Sequence, residues 1–136
     1  MLGDQIYEGR GKLTGVRVLE IEEGPNGVKT ETSYMLQSKV KGIDVIENGT
    51  FTSVMRSENK QYGEDKVVAM AQDGSTATMA AWGIGQATGP EKISFRGFTI
   101  AGPSNTGKLA ALNNVLFAFE AEIDGDNLSV KGWEWK

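Results

Sequence analysis

Three charged residues, Arg96, Glu120 and Glu134, lie on late segments otherwise rich in apolar residues. A charge in such a setting is either exposed or, if buried, paired. Strict alternation puts Trp82, Arg96, Glu120, Trp133 and Trp135 on the faces carrying the larger side chains of their segments, and Ala81, Gly83, Gly85, Phe95, Gly97, Phe117 and Phe119 on the opposite faces. If the first set points inward, the interior is an aromatic box with an Arg–Glu pair. Trp82, Arg96, Glu120 and Trp133 would then bind a ligand with one polar end. If the second set points inward, the interior is filled by packing. Sequence gives no register between strands, so both arrangements stand. Glu134 sits between Trp133 and Trp135, and if it is the inward residue it needs a partner. For the tryptophans, core or interface packing is the plainer role.

The chain has no His and no Cys. That removes Ser/His and Cys/His nucleophiles, thiolate ligands, disulfides and redox motifs. Zinc or copper would have to rest on carboxylates alone, so neither a metal nor a cofactor is expected. Any acid–base chemistry then falls to Glu120 or Glu134, with a pKa raised by burial or held low by Arg96. Gly102-Pro103-Ser104-Asn105-Thr106-Gly107-Lys108 has the core of a phosphate-binding loop. The next residue, however, is Leu109, where magnesium ligation requires Ser or Thr, and no parallel βαβ pattern surrounds it. A strand-to-helix connection is expected instead. Asp124-Gly125-Asp126-Asn127 is too short for a calcium loop and lacks its downstream Glu, which leaves a hairpin turn.

Fourteen basic and eighteen acidic side chains give a net charge of −4, and the basic ones are scattered. No electrostatic footprint for nucleic acid or anionic lipid results. Met1 to Gln5 shows no basic-then-apolar leader and no run approaches a membrane span, so a cytoplasmic protein without a membrane partner is expected. Asn48-Gly49-Thr50 and Asn127-Leu128-Ser129 match the glycosylation sequon by chance on that reading.

Composition and length predict one domain over residues 1–136, with no linker dividing it. Eighteen glycines and only three prolines punctuate short segments rich in Val, Ile, Thr and aromatics, as strands and tight turns require. A segment from Tyr7 to Glu22 leads to a turn at Gly24-Pro25-Asn26-Gly27. Val28 to Val40 follows, with Val28, Thr30, Thr32, Tyr34 and Leu36 on one face. Glu47-Asn48-Gly49 reads as a hairpin before a strand at Thr50 to Ser57, and charged Glu58 to Lys66 reads as a loop. Val67 to Gln72 and Ser75 to Thr88 flank the hairpin signal Asp73-Gly74; Lys92 to Ala101, Val115 to Ile123 and Leu128 to Trp135 complete the set. Seven or eight such strands suggest an all-β antiparallel barrel or sandwich. Ser104 to Asn114 alone reads as helix, about two turns capped at Ser104 or Thr106, with Leu109 and Leu112 packed against the sheet.

Trp82-Gly83-Ile84-Gly85, Ser94-Phe95-Arg96-Gly97, Lys108-Leu109-Ala110-Ala111-Leu112-Asn113, Phe119-Glu120-Ala121-Glu122 and Trp133-Glu134-Trp135-Lys136 occur in this order. Together they resemble a small prokaryotic family of unknown function with the allene oxide cyclase-like barrel. The resemblance covers the chain from Gly74 onward. It implies a closed eight-stranded antiparallel barrel, frequent homo-oligomers, and a lumen that in distant relatives binds and cyclises apolar small molecules. The motifs of the plant cyclases are not present, so their reaction is only an analogy of fold. The resulting expectation is a barrel that binds an apolar or amphipathic small molecule in its lumen. A cyclase or isomerase, and a ligand-free homo-oligomerisation module, are the alternatives.

Overall fold

The computed structural model describes residues 2–21, 27–56 and 58–136. The strands are β1 (Leu2–Ile21), β2 (Val28–Val40), β3 (Ile43–Arg56), β4 (Lys60–Ala71), β5 (Thr76–Gly89), β6 (Lys92–Ala101), β7 (Leu116–Asp124) and β8 (Asn127–Trp135). Each pairs antiparallel with the next, and β8 pairs with β1 to close an eight-stranded barrel. Closure leaves the sheet without an unpaired edge.

Period-two alternation builds the wall. On β2, Thr32, Tyr34, Leu36, Ser38 and Val40 are buried while Met35, Gln37 and Lys39 are exposed. The face left open by sequence is now fixed: Ala81, Gly83, Gly85, Phe95, Phe117 and Phe119 point inward. Trp82, Arg96, Glu120, Trp133 and Trp135 point outward.

Two local expectations fail, for one physical reason. The Asn48-Gly49 pair is no hairpin: β3 runs straight through it, and the chain turns earlier, at Lys41-Gly42, where φ is 46° and 82°. Gly49 is instead a seat for an aromatic ring, since a Cβ there would fall inside the Tyr34 ring. The charged stretch from Glu58 is not a loop either, because β4 starts at Lys60 and pairs with β3 in unbroken register from Arg56↔Lys60. In both places a turn-like or charged residue holds a place in a strand because the neighbouring strand pairs with it, and tertiary pairing overrides local preference.

The Asp73-Gly74 hairpin forms as expected, with Gly74 at φ 89° and the Ser75 N–H donating to Asp73 Oδ1 at 2.9 Å. Residues 124–127 make a tight turn with Gly125 at φ 64°. Glu22 and Gly24 to Asn26 of the turn expected after the first strand lie outside the described residues. The helical segment is a 3-10 helix, Gly107–Leu112, and Leu109 and Leu112 are buried as expected. Its bonds run three residues back, from Leu109 N to Thr106 O at 3.0 Å and from Asn113 N to Ala110 O at 3.1 Å.

These connections give the barrel two unlike ends. The β5–β6 and β7–β8 turns lie at one end, the mouth, together with the described ends of β1 and β2 at Ile21 and Val28 and of β3 and β4 at Arg56 and Lys60. At the base lie the β2–β3 and β4–β5 turns and the 3-10 helix, whose Leu109 and Leu112 join the same core cluster as Val40, Val45, Ala71 and Ala77.

Candidate ligand cavity

The two inner cavities of the lumen are lined mainly by apolar side chains, with two carboxyl groups, Glu47 and Asp65, among them. Glu47, 1% exposed, accepts hydrogen bonds on Oε2 from Tyr7 and Ser38, and those two hydroxyls are 3.2 Å apart. Nearer the mouth, Tyr34 donates to Asp65 Oδ2 at 2.6 Å. The register explains the geometry: Glu47 lies between Leu36 and Ala69, and Asp65 between Phe51 and Ala81, so both carboxyls project inward from β3 and β4.

Burial dominates their electrostatics. Desolvation pushes the Asp65 carboxyl up to about 7; the Tyr34 hydroxyl pulls it down, the nearby Glu47 charge pushes it up, and the Lys66 N–H lowers it again. Desolvation likewise raises Glu47 against the two hydrogen bonds from Ser38 and Tyr7. Tyr7 and Tyr34 are held well above the usual phenol range, first by burial and then by the carboxylate each one faces. Both phenols therefore stay protonated and act as donors.

Asp65 Oδ1 is shielded from solvent and has no hydrogen-bond partner. It belongs to a residue on the wall of a cavity of about 60 Å³ that is otherwise almost wholly apolar, bounded by Tyr34, Phe51, Phe95, Phe119 and Ile123 among others. A second cavity of about 40 Å³ lies toward Glu47 and shares Tyr34, Asp65, Ala81, Phe119 and Val130 with the first. On the mouth side, a vestibule of about 360 Å³ is bounded by Leu13, Thr32, Ser53, Gln61 and Glu91. Phe51, Phe95 and Ile123 belong to both vestibule and cavity. The Phe51 and Phe95 rings meet edge to face, 5.8 Å between centroids, and form the constriction between them.

The residues singled out by sequence lie elsewhere. Arg96 and Glu120 are direct register partners, as the idea of a pair requires, but both are exposed on the outer wall. Trp133 is half-buried on the same outer face, beside Ala118. Trp82 borders the cavity, yet its ring packs outside against that of Phe98, tilted by 32° with the centroids 5.7 Å apart. Glu134 is the inward residue of its pair of flanking tryptophans, and the partner it needs is Lys41, 3.4 Å away at the base. Sequence reasoning missed Tyr7, Tyr34, Glu47 and Asp65. Among the described residues no three carboxylates converge to hold a metal ion.

The phosphate-loop look-alike is closed to phosphate by its own bonding. The N–H of Asn105 donates to Asn113 Oδ1, that of Thr106 to Thr76 O, that of Lys108 to Ser75 Oγ, and that of Leu109 to Thr106 O. The Asn105 side chain accepts from Thr78 N–H at 3.0 Å and donates to Gly102 O at 3.1 Å. A phosphate cradle needs those amides free.

This architecture is that of a small eight-stranded antiparallel meander barrel, and solved structures align with it along nearly its whole length. A conserved protein of unknown function from Rhodopseudomonas palustris, RPA1785, superposes with a TM-score of 0.78 at 17% identity, covering 98% of this chain and 97% of that one. A protein of unknown function from Clostridium acetobutylicum ATCC 824 gives 0.82 at 13% identity with full coverage of both chains. A β-barrel-like protein from Acinetobacter baumannii AYE, ABAYE2633, gives 0.81 at 12%, covering 100% of this chain and 96% of that one. No protein-family model and no curated protein matches the chain. At these identities the likeness is one of fold. No helix among the described residues is long and apolar enough to cross a membrane.

Proposed function

We propose that this is a cytoplasmic binding protein that takes a small apolar or amphipathic molecule into its lumen through the mouth. The observation that carries the reading is Asp65 Oδ1, a buried acceptor without a donor on the wall of an apolar cavity. A buried polar atom left unpaired costs about 1–3 kcal/mol, which a bound donor would recover. The ligand set is Tyr34, Phe51, Asp65, Phe95 and Phe119, in place of the outward Arg96, Glu120 and Trp133. Trp82 remains useful as a reporter at the cavity wall. A fluorescence titration with a panel of small lipids and metabolites should give a saturable change that is lost in Trp82→Phe and kept in Trp133→Phe. No saturable change with any compound rejects the reading.

The same oxygen gives the cyclase or isomerase alternative an acid–base group. Asp65, with a pKa of about 7, is poised for proton transfer on the cavity wall, whereas Glu134 lines neither inner cavity and pairs with Lys41 at 3.4 Å. Turnover unaffected by Asp65→Asn would eliminate that mechanism.

A homo-oligomer rests on a separate observation. Trp82, Phe98, Ala118 and Trp133 are successive register partners across β5 to β8 and form an apolar row on the outer wall, with Ile100, Trp135 and Leu2 exposed alongside. Next to it runs a row of register partners that alternates in charge, Arg96, Glu120, Lys131, Glu8, Lys39 and Asp44. An alternating row is complementary to its own two-fold copy, so we take the occupant of this face to be a second copy of the chain.

A further inference from the structure

We infer that the lumen receives the protonated end of a small organic amine, with the ammonium on Asp65 Oδ1 and the apolar body passing between Phe51 and Phe95 into the vestibule. The inference rests on the lumen-binding reading and names its ligand class. Along the whole path the charged side chains are of one sign: Glu91 at the vestibule, Asp65 at the cavity, Glu47 in the deeper cavity. Among the described residues no Lys or Arg borders any of the three spaces. An anionic ligand would meet three carboxyls and no counter-charge from the described residues, whereas a cation meets an acceptor with a vacant lone pair. The walls suit a cation further, because the rings of Tyr34, Phe51, Phe95 and Phe119 line the cavity and aromatic rings attract positive charge. Size sets the shape of the ligand. A cavity of about 60 Å³ holds a slim head group and no bulky ring, being well below the roughly 150 Å³ that admits benzene. The vestibule of about 360 Å³ takes the remainder.

Titration follows the same geometry. The groups facing Asp65 are Tyr34 from β2, Glu47 from β3 and Tyr7 from β1, while the cavity walls supplied by β5 to β8 are not titratable. Both phenols stay neutral, so Asp65 is ionised by a rise in pH through about 7 or by the arrival of a cation. A bound ammonium therefore pulls the carboxyl into its charged form and releases its proton.

Calorimetric titration at about pH 8 with n-hexylamine, n-hexanol and hexanoate, matched in chain length, tests this. Hexylamine should bind about tenfold or more tighter than hexanol, as expected for a charge-assisted hydrogen bond, with no detectable binding of hexanoate. The amine's advantage should vanish in Asp65→Asn, whose amide oxygen still accepts from Tyr34, and should shrink in the wild type between about pH 8 and pH 5. Ala81→Leu, which fills both cavities, should abolish binding of hexylamine and hexanol alike. Equal binding of amine and alcohol, or an amine preference that survives Asp65→Asn, overturns the amine inference while leaving the lumen reading intact. Binding that persists in Ala81→Leu, or no binding of any probe, overturns both. If Ala81→Leu does not fold, the comparison of wild type with Asp65→Asn decides the amine inference alone.

Discussion

A carboxyl whose folded pKa exceeds its ordinary value destabilises the fold whenever it is ionised, and Asp65 is such a group. Its pKa rises from 3.8 to about 7, so between those values the native state holds a proton that the unfolded chain has released. Stability is then fully present below about pH 4 and is lost as pH rises through about 7. Glu47, raised by burial, acts in the same direction. Thermal melts should show a higher midpoint at about pH 5 than at about pH 8, by an amount equivalent to a few kcal/mol at most. Asp65→Asn should flatten most of that slope, and an unchanged slope would mean the carboxyl is ionised in both states. These two acids were the least legible residues in the chain. Glu47 stood beside an Asn-Gly pair, and Asp65 lay in a charged stretch, Glu58 to Lys66, where charges ordinarily face water. The signal was present in the alternation: Gly63, Asp65, Val67, Ala69 and Ala71 share one face, and four of those five are small or apolar.

At the scale of the elements, strands were read well where side chains alternate cleanly and poorly where glycine does a packing job. β2 and β6 have the bounds their patterns predicted, Val28–Val40 and Lys92–Ala101. The sequence pattern starts β3 only at Thr50, because Gly49 looks like a turn, yet Gly49 faces Tyr34 across the β2–β3 ladder and leaves room for that ring to reach Asp65. Gly49→Ala should therefore cost about 1–3 kcal/mol in chemical denaturation through overpacking. It should also disturb lumen binding, because the Tyr34–Asp65 bond depends on the ring position. The 3-10 helix is a different kind of element, a plug with few bonds of its own. Leu109 is fully buried beneath the barrel base, and Leu109→Ala should cost about 2–5 kcal/mol while sparing the mouth-side cavity, since it does not line that cavity. Equal loss of stability and of mouth-side ligand affinity in Leu109→Ala would show that the base and the cavity are one cooperative unit.

On the scale of the whole molecule, the barrel turns every strand into two surfaces, and the residues that looked chemical from sequence fell on the outer one. Alternation assigned Trp82, Arg96, Glu120 and Trp133 to a common face correctly; which side that face took was fixed only by closure, because the glycines opposite them accept the Phe95 and Phe117 rings inside, Gly85 the first and Gly132 the second. An outer wall with Phe98 48% exposed and Trp135 55% exposed carries more apolar surface than a solvated barrel face needs. If a second copy covers it, the apolar row should supply the association energy and the alternating charges the orientation. Exposed ion pairs contribute about 0–1 kcal/mol each and are screened by salt, whereas apolar contact is not. Light scattering should accordingly report a dimer at micromolar concentration that persists in high salt, and Phe98→Glu should give a folded monomer that retains lumen binding. A wild-type monomer would leave the row without its partner. A dimer that dissociates in salt would assign the association to the Arg96–Asp44 charge row, in which the two-fold sets Lys131 against Glu8 of the other copy, so reversing Lys131 and Glu8 together should preserve it while reversing either alone should not.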